Sequence, residues 1–436
     1  MQKTSGHIFF SGIGGTAIGP LALIAKQAGF TVSGSDKQDS QYIDYLRKKG
    51  INKIHIGQTQ DALAAVHTKQ PIDWLVYSSA IEKENANHPE LVFAREQAIK
   101  ISKRDELINH ILTEKKLKMI AIAGTHGKTT STAMLIWLFK QSGIPISYSV
   151  GAKISFGDMG QYDPDSEYFV YEADEFDRNF LAFEPYLSLI TGVSWDHHEI
   201  FPTREDYQAA FSEFIGQSRW TILWQNDAEY LDLGSNTHYS ALDPAEAERA
   251  DISIAGKYNR LDARLVVEAM HELTDIPVEK LVEQINRFPG LQRRMEQIIP
   301  NLYSDYAHTP EKIRGCMSVA LELAAQKGQK VIVVYEPLTN RRQHYMLDDY
   351  KDCFGGAAKV YWIPSYLARE DSTQRIISPA ELISHLDNPS IAQSMKRDKN
   401  LKKTIAKHLE DGAMVVAMAG GGGSSLDEWI RKEFKK

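Results

Sequence analysis

Short, continuous apolar runs recur along the chain. Each is followed by a segment whose apolar positions return every three or four residues. The early runs are His7-Ile8-Phe9-Phe10 and Trp74-Leu75-Val76-Tyr77. Met119-Ile120-Ala121-Ile122-Ala123, Tyr168-Phe169-Val170-Tyr171, Leu187 to Val193 and Thr221-Ile222-Leu223-Trp224 follow. The last third carries Val331-Ile332-Val333-Val334-Tyr335 and Met414-Val415-Val416-Ala417-Met418. Runs without a polar alternate face suit strands buried on both sides of a mostly parallel sheet. Pro20 to Gly29, Thr130 to Ser142 and Pro310 to Gly328 have helical spacing. Strands alternating with helices predict an α/β fold.

At roughly 150 residues per domain, 436 residues suggest three domains. A polar, helix-like stretch, Lys103 to Lys118, precedes a fresh strand–glycine-loop–helix start. Phe288-Pro289-Gly290-Leu291-Gln292-Arg293-Arg294 interrupts the pattern again. The expected domains are therefore 1–105, 106–298 and 299–436. The 50 Lys and Arg against 57 Asp and Glu give a charge of −7. That balance argues against a nucleic-acid or membrane-surface partner, each of which wants a basic face. Any anionic ligand must be held by local devices. No apolar run approaches a membrane span, and no signal peptide is read at the N-terminus, so the expected compartment is the cytoplasm. Two cysteines, Cys316 and Cys353, read as ordinary reduced thiols.

Two glycine loops carry the chemistry. The first, Gly12-Ile13-Gly14-Gly15-Thr16-Ala17-Ile18-Gly19, lies between a strand and a helix. Gly12, Gly14 and Gly15 let the backbone approach a phosphate at the helix N-terminus. Asp36 stands where a ribose-binding acid would end the second strand. This matches a dinucleotide fingerprint with Ala17 in the last place, and predicts a nucleotide or nucleotide-sugar. The second loop is Gly124-Thr125-His126-Gly127-Lys128-Thr129-Thr130. Its N–H groups can cradle phosphates, Lys128 supplies a point charge, and the Thr129 hydroxyl can ligate Mg²⁺. Such a lysine is expected to be solvated while no nucleotide is bound. The general phosphate loop has a glycine where Ile122 stands, so this is a shortened variant. A third run, Gly420 to Gly423, either closes on a nucleotide or turns the chain into the last helix.

Acids follow the second loop. Glu172-Ala173-Asp174-Glu175-Phe176-Asp177 ends a strand, where hard Mg²⁺ finds carboxylate oxygen. In Asp196-His197-His198-Glu199 we expect His197 to ligate a second Mg²⁺. Thr129, Glu172 and His197 are thus the candidate metal ligands. Further on, Arg341 and Arg342 follow a strand's C-terminal end, where α/β sheets bind ligands and an arginine can grip a carboxylate.

With these motifs in place, the chain resembles the Mur ligases of peptidoglycan synthesis over essentially its whole length. The carriers are Ala123 to Thr130, Glu172-Ala173-Asp174-Glu175, Trp195-Asp196-His197, Gly256-Lys257-Tyr258-Asn259, Arg293-Arg294-Met295-Glu296 and Asp305-Tyr306-Ala307-His308-Thr309-Pro310. The resemblance implies a Rossmann-like domain for a UDP-sugar, a central phosphate-loop ATPase, and a Rossmann-like C-terminal domain bringing the amine. It implies that Lys128, Glu172 and His197 are catalytic, with ATP and Mg²⁺ as cofactors. Asn259 is similar to an adenine-binding asparagine, and Arg294 and Asp305 resemble ATP contacts. Ser78 and Ser79 resemble uracil-side contacts, and His308 belongs to a substrate-side block. Where the family block ends in Asn, Asp262 stands here, and an acid does not donate as an amide does.

The implied reaction joins an amine to the carboxylate of UDP-N-acetylmuramate through an acyl phosphate, with ADP and phosphate released. L-alanine is the expected amine, and a murein tripeptide on the same UDP-sugar is the alternative. An NAD-dependent dehydrogenase would use Gly12 to Asp36 but leave Lys128 without a role. A nucleotide-switched binding protein would use the Lys128 loop without needing an amine.

Overall fold

The computed structural model describes residues 5–78, 81–82, 85–197, 200–234, 237–247, 251–367, 370, 373–421 and 424–435. Three sheets, nearly all parallel, confirm the α/β expectation. The first contains β1 (Ser5–Ser11), β2 (Phe30–Asp36), β3 (Ile54–Ile56), β4 (Trp74–Tyr77) and β5 (Lys100–Ser102). Its order is β3-β2-β1-β4-β5, all parallel, so the order reverses between β1 and β4. That crevice is where an open α/β sheet takes a ligand, and the first glycine loop opens into it.

The second sheet contains β6 (Lys118–Ala123), β7 (Ser147–Ser149), β8 (Gly160–Gln161), β9 (Tyr168–Glu172), β10 (Leu187–Ile190), β11 (Thr221–Trp224) and β12 (Tyr239–Leu242). Its order is β12-β11-β10-β6-β9-β7-β8, with only β7 and β8 antiparallel. β6 lies in the middle, which is why Met119–Ala123 is apolar at every position and wholly buried. The second glycine loop follows β6 and leads into the helix Lys128–Gln141.

The third sheet contains β13 (Glu296–Ile299), β14 (Leu302–Asp305), β15 (Val331–Glu336), β16 (Lys359–Trp362), β17 (Ala392–Ser394) and β18 (Met414–Ala419). Its order is β13-β14-β18-β15-β16-β17, with β13 and β14 antiparallel.

The chain divides into two compact units, one running to Ile252 and including Leu261–Phe288, the other Ser253–Arg260 with Pro289–Lys436. The first unit holds two sheets because one apolar core runs through both. Phe10, Leu21 and Ile24 join Met119, Phe169 and Phe201 in it, and Leu107, Ile108 and Ile111 of the helix Arg104–Lys115 add to it. Polar contacts support that junction. Tyr45 donates to Asp158 (2.6 Å), and the Tyr162 amide donates to the Gln27 side chain (2.7 Å). The second unit packs around Val333, Tyr335, Trp362 and Val416. No described helix is long and apolar enough to cross a membrane.

Candidate active site: two glycine loops

The second loop is shaped by its glycines and fastened by hydroxyls. Gly124 has φ +135° and Gly127 φ +79°. A Cβ on Gly124 would collide with the Thr191 hydroxyl, and one on Gly127 would lie 2.5 Å from the Asp262 carboxyl. Only glycine fits both the space and the backbone. The Thr125 amide donates to the Gly192 carbonyl (2.8 Å), and its hydroxyl donates to the Ser194 carbonyl (2.8 Å). The Thr191 hydroxyl donates to the His126 carbonyl. The loop is thereby tied to the segment after β10. Its helix N-terminus presents amides whose intrahelical partners do not exist.

Lys128 is not solvated as expected. Its ammonium donates to the Gly124 carbonyl (2.6 Å) and to the Glu175 carboxylate (2.6 Å). Glu175 is fully buried, so a cation there gains more from pairing than from water. Burial alone would lower the lysine's pKa, but Glu175 and Asp174 outweigh it and hold it above the ordinary value. Burial likewise pushes Glu175 up, and Lys128 and His197 reverse that, leaving it below the usual carboxylate range. His197 Nε2 lies 3.5 Å from Glu175. Against burial, Glu175 and Asp196 raise the imidazole's pKa.

The three candidate metal ligands are split between two carboxylates. The Thr129 hydroxyl donates to Glu172 (2.7 Å), whose other oxygen accepts from the Gly151 amide (3.0 Å). His197 is paired with Glu175 instead. Among the described residues, no three His, Cys, Asp or Glu side chains are grouped to hold a metal. His198 and Glu199 lie outside the described residues. Glu175 was legible only as part of an acidic motif; its pairing with Lys128 needed the fold. Asp262 carries no assigned role from the sequence, yet its helix, Lys257–Thr274, sets it against Gly127. Burial pushes its pKa well up. A protonated carboxyl offers one O–H to donate, where an amide offers two N–H.

The first loop holds its residues together differently. A Cβ on Gly12 (φ +79°) would touch Ser78, so the loop and the turn after β4 are neighbours. The Gly15 amide donates to Gly12 (3.1 Å), and the Gly14 amide to Asp36 (2.9 Å). Asp36 therefore spends one oxygen closing the loop itself. Ser79 lies outside the described residues. Beside the loop, Ser11 donates to the fully buried Glu90, and Gln58 donates to Ser11 (3.2 Å). Burial raises the Glu90 pKa, and Ser11 and Ser35 only partly offset it.

In the second unit, the Asn259 amide donates to the Ala255 carbonyl (2.8 Å). The Arg294 guanidinium lies 5.1 Å from the Tyr306 ring centroid. Both Asp305 oxygens are engaged, by the amides of Met295 (2.8 Å) and Ala307 (2.8 Å). His308 is buried, its Nδ1 is 2.7 Å from the Tyr306 carbonyl, and burial keeps the ring neutral. Arg341 and Arg342 are exposed on the short helix Asn340–Met346 after β15.

Comparison with known proteins adds a family to this geometry. The model described as the Mur ligase family catalytic domain matches residues 7–116, and the Mur ligase middle domain model matches residues 122–276. The chain is 26% identical to the UDP-N-acetylmuramate–L-alanine ligase of Frankia casuarinae, over 96% of each chain. Its fold is similar to that of the UDP-N-acetylmuramate–alanine ligase of Thermotoga maritima, with a TM-score of 0.76, 22% identity and 98% of each chain covered. A murein peptide ligase of Psychrobacter arcticus matches with a TM-score of 0.67, 21% identity and the same coverage.

Proposed function

The chain belongs to the Mur ligase family, and on that premise we propose that it joins L-alanine to the carboxylate of UDP-N-acetylmuramate at the expense of ATP. A carboxylate oxygen attacks the γ-phosphate; the new P–O bond forms as the bridging bond to ADP breaks. The amine then attacks the acyl carbonyl, the C–N bond forms and phosphate leaves. Both partners of the first step are anions, so catalysis is chiefly positioning and charge neutralisation.

The observation that carries this reading is the Lys128 ammonium, held 2.6 Å from both Gly124 and Glu175 inside a phosphate loop. On ATP binding Lys128 exchanges one of those contacts for phosphate oxygen. The Gly124–Thr130 amides cradle the phosphates. Asn259, Arg294 and Asp305 are assigned to ATP. Gly12, Gly14, Gly15, Asp36, Ser78, Ser79 and His308 are assigned to the UDP-sugar, and Arg341 and Arg342 to the incoming carboxylate.

The Thr129 hydroxyl and Glu172 carboxylate, 2.7 Å apart at the loop, are the hard oxygen donors that Mg²⁺ takes. His197 completes the assigned set. Bound Mg²⁺ supplies the charge that lets two anions approach. We assign the domains to 1–105, 106–298 and 299–436, and the compartment to the cytoplasm, where ATP is available.

Mass spectrometry of products from ATP, UDP-N-acetylmuramate and a panel of amines tests the reading. L-alanine should give the major product. A murein peptide ligase of Psychrobacter arcticus shares the fold, and a second reading keeps the same donor with a tripeptide as the amine. Preference for the tripeptide would replace the acceptor and leave the mechanism standing.

A further inference from the structure

Arg104 has no role in the reading above, yet it lines a cavity beside the first glycine loop. A cavity of about 30 Å³ is lined by Ala17 and Ile18 of the first loop, Ser78, Lys103, Arg104 and Asn179. The neighbouring polar groups are occupied. Lys103 lies 3.7 Å from Glu82, and the Asn179 amide donates to the Phe176 carbonyl (2.7 Å). Among the described residues, no hydrogen bond or ion pair engages the Arg104 guanidinium. It nevertheless lies in the field of Tyr171, Asp174, Asp105 and Glu172, which together outweigh its burial and hold it firmly charged. The cavity thus adjoins the nucleotide-sugar loop, and Glu172, at the end of β9, is among the charges acting on Arg104.

A half-buried guanidinium without a partner is costly unless an anion completes it. The space accepts one small group, not a nucleotide. A diphosphate is already provided for by the glycine loop and its helix N-terminus. What remains is the donor's carboxylate, which must reach the edge where Glu172 and Lys128 lie. We propose that Arg104 grips the carboxylate of the UDP-sugar donor and positions it for attack on the γ-phosphate. The planar fork of arginine matches a carboxylate bidentately. This inference rests on the ligase reading and deepens it. Arg104 was hidden in the sequence because it sits in a polar stretch that reads as a domain boundary.

The test compares two nucleotide sugars that differ in the lactyl ether bearing the carboxylate. Binding of UDP-N-acetylmuramate and UDP-N-acetylglucosamine is measured by calorimetry for the wild-type chain, Arg104→Ala and Arg104→Lys, with melting curves to check folding. Loss of a charge-assisted contact should weaken UDP-N-acetylmuramate binding by about tenfold to a hundredfold in Arg104→Ala. UDP-N-acetylglucosamine binding should change less than about twofold, and Arg104→Lys should recover part of the loss. Equal weakening of both sugars would assign Arg104 to the diphosphate or to structure and overturn the proposal. So would unchanged binding of both. A wild-type chain that binds neither sugar would instead bring down the ligase reading itself, and this inference with it.

Discussion

Glu90 and Glu175 are both fully buried glutamates beside a glycine loop, and their surroundings shift them in opposite directions, Glu90 above and Glu175 below the ordinary carboxylate value. Glu90, by the first loop, meets hydroxyls, an amide and the like charge of Asp36, so burial wins and the acid is held above its ordinary pKa. Glu175, by the second loop, meets Lys128 and His197, so burial loses and the carboxylate stays ionised. The two loops share one strand–loop–helix topology in one unit. The difference teaches that the fold supplies an anion site twice, while the charged partners decide which loop has a mobile cation to offer. The first loop can bind a phosphate group by backbone alone; the second can follow charge that moves during a reaction.

Removing the cation is the sharpest way to break this comparison. Lys128→Ala should lower ATP-dependent phosphate release at least about a hundredfold, the scale of one preorganised charge contact. A near-wild-type rate would make the two loops equivalent and remove the phosphate-loop assignment.

Next in size is Glu175→Gln, which leaves Lys128 without its buried counter-charge. A loss of about 2 kcal/mol in stability is expected at pH 7. The sign follows from the depressed carboxylate pKa. Its contribution is present above the ordinary value of 4.5 and disappears as pH falls through the folded-state value. Melting curves of wild type and variant should therefore converge in acid. Curves that stay parallel from pH 7 to pH 3 would mean that the Lys128–Glu175 pair contributes nothing.

Glu172→Gln tests the oxygen pair rather than the ion pair. Activity should fall by about tenfold, with part recovered by raising Mg²⁺, because the amide keeps the shape but not the charge. An Mg²⁺ dependence identical to wild type would place the metal elsewhere.

The smallest effect belongs to Glu90→Gln. Its acid is held above 4.5 in the folded state, so the cost of ionising it is absent below that pH and grows as pH rises. The amide avoids that cost. The variant should match wild type within about 1 kcal/mol in acid and gain on it towards pH 7. Destabilisation comparable to Glu175→Gln would show that the two glutamates are equivalent after all.

Legibility followed burial. Trp74–Tyr77 and Thr221–Trp224 are strands over the same residues as the apolar runs, since both lie inside sheets. β8, with two residues, and β17, half-exposed, left no such run. Edge strands need no second apolar face, so composition does not announce them. In the site, Lys128, Thr129 and Glu172 were readable because phosphate and metal chemistry restricts the residue types. Glu175, Asp262 and Arg104 were not, because each matters through a neighbour distant in sequence.

The sequence by itself determined the α/β alternation, the two glycine loops, and the presence of a lysine, a threonine and carboxylates of the kind that phosphoryl transfer requires. These follow from local rules: apolar period, glycine's access to positive φ, and the chemistry of particular side chains. Only the tertiary structure decided which carboxylate holds Lys128, that His197 joins Glu175 rather than Glu172, and that the first two sheets share one core. It also decided that Glu90 is held above the ordinary carboxylate value while Glu175 is held below it. Protonation and pairing depend on burial and on neighbours brought from 47 positions away for Lys128 and Glu175 and 79 for Ser11 and Glu90. Local sequence cannot encode a dielectric environment that forms only when the chain packs.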